Sequence, residues 1–207
     1  ITSDNDCRLS SVQVNVDREQ RCAWGSTPGL MSQYHDNEWG FPTADDTHLF
    51  EKICLEGFQS GLSWSTILNK REDFRRVFSG FEIDQVAGFG ERDIERLLGD
   101  ATIVRHRGKI RSTINNAQRC LELIAEVGSL ATYIWGFEPK RISLDVRATS
   151  PESVALSKDL KKRGWSFVGP TTMYAFMQSL GLVNDHSAEC FVWDRVDAAR
   201  GKFLRPV

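Results

Sequence analysis

The chain has 207 residues, 41% hydrophobic and 26% charged, with a formal net charge of −2. That length supports one substantial core or two small lobes sharing one, and no apolar run approaches a membrane span, so no membrane partner is expected. The charge balance leaves no global footprint for nucleic acid, yet RHRGKIR (105–111) and KDLKKRG (158–164) are basic patches that suffice locally for a phosphate backbone.

The opening ITSDNDCRLSSVQVNVDREQ has no basic start followed by an apolar core, so no signal peptide is expected. It also lacks an initiator methionine, which leaves open residues outside the chain or gaps within it. Cys7, Cys22, Cys54, Cys120 and Cys190 are scattered and odd in number. They argue for free or metal-bound thiols in a reducing, cytoplasmic compartment rather than a disulfide framework. SVQVNV (11–16) alternates strictly and is the one candidate strand.

From there the period is helical. Thr43 reads as an N-cap with Asp46 in the first turn, followed by apolar Leu49, Phe50, Ile53 and Cys54. Ile110, Ile114, Ala117, Leu121 and Ile124 form an amphipathic stripe. Residues 136–151 read as a surface loop. Ser150-Pro151 then places a cap before a proline at the first helical position, with Leu156 and Leu160 facing inward. Met173, Phe176, Met177 and Leu180 make a last stripe, stopped by Gly181. The fold class is all-α, without internal repeats.

NDHSAEC (184–190) sets His186 four residues before Cys190, which on a helix stacks two soft metal ligands on one face. Cys22 and His35 complete a two-Cys, two-His set suited to tetrahedral zinc. Spacing alone leaves open that Cys22 is a small buried hydrophobe and His35 an unconnected loop residue. A full set of four protein ligands makes any zinc here structural, so a zinc hydrolase is disfavoured.

YHDNEWG (34–40) and LEGFQSGLSW (55–64) are dense in aromatic residues. Trp24, Tyr34, Trp39 and Trp64 beside the carboxylate of Glu56 suit a flat cationic heterocycle. Singly, each aromatic also reads as a core residue with a satisfied polar tip. Further on, KKRGWSFVGPTT (161–172) reads as a tight turn between two helices. Gly169 permits close backbone approach, a new helix starts near Thr171, and Lys161, Lys162 and Arg163 supply phosphate contacts. An ordinary helical hairpin fits the same local pattern.

Together YHDNEWG, LFEKICLEGFQSGLSW, RHRGKI, LSKDLKKRG, FVGPTT, YAFMQSLGLVNDH and Cys190 resemble the 3-methyladenine DNA glycosylase I family, from about Arg21 to Cys190. The resemblance implies a two-lobed helix-hairpin-helix fold, with the hairpin at about 153–181 in a domain spanning 21–190. Residues 1–20 become an extension and 191–207 a tail. It implies a structural zinc, one per chain, on Cys22, His35, His186 and Cys190, clasping the N-terminal segment to a C-terminal helix. It implies a monomer that excises 3-methyladenine from double-stranded alkylated DNA and leaves an abasic site. Glu56 is then the catalytic group and also reads the base, with Trp24, Tyr34 and Trp64 binding it. Leu62 is the wedge that fills the duplex, while Lys161, Lys162, Arg163, Gly169 and Thr171 contact DNA. No lysine stands in an obvious Schiff-base position, so a monofunctional enzyme is expected. A catalytically silent DNA- or nucleobase-binding module on the same fold is the competing reading. Asn184 stands about where related hairpin glycosylases carry an aspartate. Two departures from the family are Thr102, in place of a usual glycine, and a short Pro139–Arg147 stretch.

Overall fold

The computed structural model describes residues 20–140 and 148–207 in full and residues 12–14 in backbone only. Cys7 and residues 141–147 of the 136–151 loop, which hold most of the shortened stretch, lie outside the described residues.

Eleven α-helices are described: α1 (Leu30–Asn37), α2 (Asp46–Gln59), α3 (Trp64–Asn69), α4 (Arg71–Val77), α5 (Ile83–Ala87), α6 (Glu91–Gly99), α7 (Arg107–Val127), α8 (Leu130–Trp135), α9 (Pro151–Lys162), α10 (Pro170–Ser179) and α11 (Trp193–Lys202). Strand β1 (Val12–Val14) pairs antiparallel with β2 (Gln20–Cys22), with Val12 opposite Cys22. The expected all-α body is observed, and the candidate strand is present in part.

Helix α2 is the axis of the molecule. Its residues from Leu49 to Phe58 are all buried, and it packs against α3, α7, α8 and α10. Asp45, rather than Thr43, caps it: the Asp45 carboxylate accepts from His48 N at 2.7 Å. Thr43 stands outside the cap and braces it, its hydroxyl accepting from Asp45 N. Asp46 in turn accepts from Leu130 N and Ala131 N, so the first turn of α2 caps α8 across space. One apolar cluster runs from Leu49 to Leu182, with Phe58, Phe74, Phe78 and Phe81 stacked through it. Truncating one of these rings to alanine costs roughly 3–5 kcal/mol.

The α7 stripe is present but turned. Ile110, Ile114 and Ala117 are buried, and the face continues through Cys120 and Leu123 while Leu121 stands 36% exposed. A strict four-three spacing drifts around a 3.6-residue helix, so by the fifth turn the core faces a neighbouring column. Helix α9 starts as expected, Ser150 capping Ser153 N with Pro151 at the first position. It packs against α10 across a short connection holding Phe167, whose φ is +56°.

The region set apart as a tail folds as α11 and is tied into the body. Val192 and Val196 are buried, and Arg200 donates to the Gly181 and Leu182 carbonyls. Gly181 has φ +71°, and a Cβ there would lie 2.3 Å from the Gly40 carbonyl oxygen, so only glycine fits where α10 meets the segment after α1.

Candidate functional site

Two contiguous constellations occupy the junction of α1, α2, α3 and the 184–190 segment. In the first, Cys22, His35, His186 and Cys190 are all buried, with ligand atoms within 4.8 Å of one another. Cys22 comes from the end of β2 and His35 from the last turn of α1. His186 and Cys190 come from an irregular segment rather than a helix: Cys190 N closes a turn on Ser187 O, and α11 begins only at Trp193. The expected helix fails because local polar side chains divert the backbone. Asn184 accepts from His186 N and donates to Trp193 O, while Asp185 accepts from Tyr174 and Gln178 on α10. This also places Asn184 and Asp185 in structural roles outside the aromatic pocket.

The donor geometry fits a tetrahedral ion. Cys190 Sγ lies 3.5 Å from His35 Nε2 and 3.6 Å from His186 Nδ1, and Cys22 Sγ lies 3.6 Å from His186 Nδ1. Tetrahedral zinc with ordinary Zn–S and Zn–N bonds separates sulfur from nitrogen by about 3.6 Å. The outward ring nitrogens are also fixed. His35 Nδ1 donates to Asp36 at 2.8 Å, itself gripped by Arg21, and His186 Nε2 donates to the Trp39 carbonyl at 3.1 Å. Such partners orient ligand imidazoles. The hydrogen bond from Cys22 and those from His186 and His35 lower the Cys190 thiol, while the same pairing and burial raise Cys22, so the two thiols share a proton in the absence of a metal.

The second constellation shares a wall with the first. Trp24 stands edge-on to His35 with centroids 5.0 Å apart, lies 6.2 Å from the Tyr34 ring, and meets Trp39 at 5.0 Å. The Trp39 ring meets His186 at 4.6 Å. Tyr34 and Trp64 face each other at 5.2 Å with a 42° tilt. Glu56, in the last turns of α2, is buried against this group. Its only ionic partner among the described residues is Lys52, one turn earlier, with Nζ 4.0 Å from Oε1. No hydrogen bond to its carboxylate is made within the described residues. Burial lifts Glu56 to about 7, against the lowering pull of Lys52, and burial lowers Lys52 to about 8. Lys52 Nζ also donates to Tyr34 Oη at 2.6 Å and lies over the Trp64 and Tyr34 rings at 4.3 and 4.7 Å. Sequence reading missed Lys52. Its four-residue spacing from Glu56 on one helix was the available signal.

Of the remaining candidates, Leu62 stands 39% exposed on the turn between α2 and α3, beside Gly61 with φ +80°. That turn is braced by Lys109, whose buried Nζ donates to the Phe58 and Ser60 carbonyls at 2.7 and 2.6 Å. Lys161 and Lys162 are exposed in the last turn of α9. Arg163 is committed within the molecule, to Glu126 and Asp159 and over the Tyr133 ring. Gly169 is the residue before α10, and Thr171 is exposed in its first turn. A Cβ on Gly57 would meet Phe167 at 3.4 Å, so the α9–α10 connection lies against α2 next to Glu56. Thr102 is not in the left-handed region. It bonds to Asp100 and Arg76, so the substitution for glycine leaves no strain.

The chain is similar to known proteins over most of its length. Residues 24–193 match the family described as Methyladenine glycosylase. DNA-3-methyladenine glycosylase 1 of Escherichia coli is 47% identical over 83% of this chain and 95% of its own length. DNA-3-methyladenine glycosylase of Haemophilus influenzae is 44% identical over 82% of this chain and 96% of its own. The structure of 3-methyladenine DNA glycosylase I from Staphylococcus aureus, solved for its recognition of 3-methyladenine, superposes with a TM-score of 0.78 at 34% identity, covering 83% of this chain and 95% of that one. This chain belongs to the methyladenine glycosylase family.

Proposed function

We propose that the protein is a monofunctional DNA glycosylase that removes 3-methyladenine from double-stranded alkylated DNA. The observation that carries this reading is Glu56: a buried carboxylate with free acceptor atoms beside the Tyr34–Trp64 pair. Methylation at N3 makes the purine cationic and weakens its glycosidic bond. The protein must therefore extrude the nucleotide and favour the cation. Glu56 accepts a hydrogen bond from the base edge and stabilises its positive charge. Tyr34 and Trp64 hold the ring, and Trp24 shapes the wall behind Tyr34. Water adds at C1′ as the bond to the purine breaks; the base departs neutral and one proton is released.

The DNA contacts follow from the same reading. Residues 153–181 act as a helix-hairpin-helix element within a two-lobed domain spanning about 21–190. Gly169 and Thr171 offer backbone N–H groups to a phosphate, and Lys161 and Lys162 add charge. Arg163 contributes by holding α9 rather than by touching DNA. Leu62 fills the gap in the duplex.

The Cys22, His35, His186 and Cys190 set is proposed to hold one structural zinc. A zinc bound there supplies no chemistry to the reaction, because four protein ligands fill its coordination. The residues themselves hold Trp24 and Trp39 in register with the pocket.

Release of free base from methylated DNA, compared between the protein and Glu56→Gln, tests the reading. Loss of one charge-assisted hydrogen bond lowers single-turnover release by roughly 10- to 100-fold. Folded, metal-loaded protein that releases nothing points instead to a silent nucleobase-binding module.

A further inference from the structure

Lys52 is one of the most deeply placed charges among the described residues, 3% exposed. An ammonium group between two aromatic faces and a carboxylate is a complete cation site, with an internal occupant. Its distances, 4.3 Å to the Trp64 ring, 4.7 Å to the Tyr34 ring and 4.0 Å to Glu56, are those of a cation–π and ion-pair cage. We propose that Lys52 is a positioning residue of the base pocket: its ammonium stands in for the cationic base between Tyr34, Trp64 and Glu56 and keeps Glu56 a carboxylate until the base arrives. This rests on the glycosylase reading above.

The surrounding charges leave Lys52 and Glu56 to each other. Glu38, at the end of α1, is held by Arg71 of α4 in a two-pronged pair, and Glu51 of α2 is held by Arg75. Tyr34 of α1 accepts from Lys52, and Ser179 at the end of α10 is the other partner of its hydroxyl, so the ring rather than a free proton faces the pocket. Trp64 of α3 contributes only its ring face to the ammonium, and its buried Nε1 has no partner. Burial already raises Glu56 to about 7 with Lys52 present, so removing the neighbouring charge moves it further up. An arriving base cation repels the ammonium. Burial lowers Lys52 in the same direction, so the base cation and the burial together favour its neutral form.

The test compares Lys52→Met and Lys52→Arg with the unaltered protein, following single-turnover release of 3-methyladenine from methylated DNA against pH. The acid limb should move up by about one unit or more in Lys52→Met, with release near neutrality down roughly tenfold and recovering at alkaline pH. Lys52→Arg, which keeps the charge, should retain the original limb. A Lys52→Met profile that superimposes on the original overturns the proposal. A substrate-free readout separates this from the functional reading. The carboxyl stretching band of protonated Glu56, assigned by difference infrared spectroscopy against Glu56→Gln, should persist to higher pH in Lys52→Met. If that band shifts while no variant releases base, the glycosylase reading fails and the Lys52–Glu56 coupling stands. If base is released and the band does not move, the proposal for Lys52 fails.

Discussion

The indole of Trp24 and the imidazole of His35 meet edge to face, 5.0 Å apart. Through that contact the Cys/His cluster and the aromatic pocket share a wall, since Trp24 also reaches Tyr34. Disturbing the cluster should therefore be felt in the pocket. In Cys190→Ser the ligand set is incomplete, so metal analysis should find the protein metal-free where the parent holds one zinc. Its melting temperature should fall by about 10 °C or more. A variant that stays metal-free without losing stability refutes the clasp.

Gly25 tests the same wall from the packing side. A Cβ at this position would lie 2.4 Å from the His35 ring. Gly25→Ala must push the imidazole out of register. It should lose about 1–3 kcal/mol in chemical denaturation and release zinc to a chelator faster than the parent.

Base release should itself depend on pH through Glu56. The carboxylate is the form that favours a cation, and its titration lies at about 7. Falling pH protonates it, so release should decline below about pH 7 and level off above it. Glu56→Gln has no charge to lose, and its residual release should be flat across the same range.

Leu62 is exposed, so Leu62→Ala should change stability by less than about 0.5 kcal/mol. Release from duplex DNA should nonetheless fall roughly tenfold, because the variant lacks the apolar side chain proposed to fill the gap in the duplex. Equal activity of the two proteins on duplex DNA would remove Leu62 from the mechanism.

Thr102 supplies a negative control for backbone strain. Its backbone is not left-handed, and its side chain bonds Asp100 and Arg76. Thr102→Gly should therefore destabilise by about 0.5–1 kcal/mol rather than relieve anything.

The helices were legible where one periodic face decides the structure. Ser150-Pro151 and the stripe ending at Gly181 mark α9 and α10 because capping and apolar period point the same way. Legibility failed where side chains compete with the backbone, as at Asn184 and Asp185, which turn an apparent helical His-x-x-x-Cys pair into an irregular segment. Spacing paired His186 with Cys190, but only the distinctive chemistry of Cys22 and His35 and the family resemblance gave reason to join them to that pair. Lys52 was hidden for the opposite reason. A lysine on an amphipathic helix reads as solvent-facing, and only the packing of α1 and α3 over that face encloses it.

A zinc on the proposed clasp would also tie distant parts of the chain together. It joins residues 164 apart, Cys22 to His186, and 155 apart, His35 to Cys190. A metal bridging them would be a cross-link spanning most of the polypeptide, and because the unfolded chain offers no such site its binding free energy would add to that of folding. Unlike a disulfide, this cross-link is independent of oxidants and is undone by a chelator. It would give a protein with buried free thiols a reversible counterpart of a long-range covalent bridge.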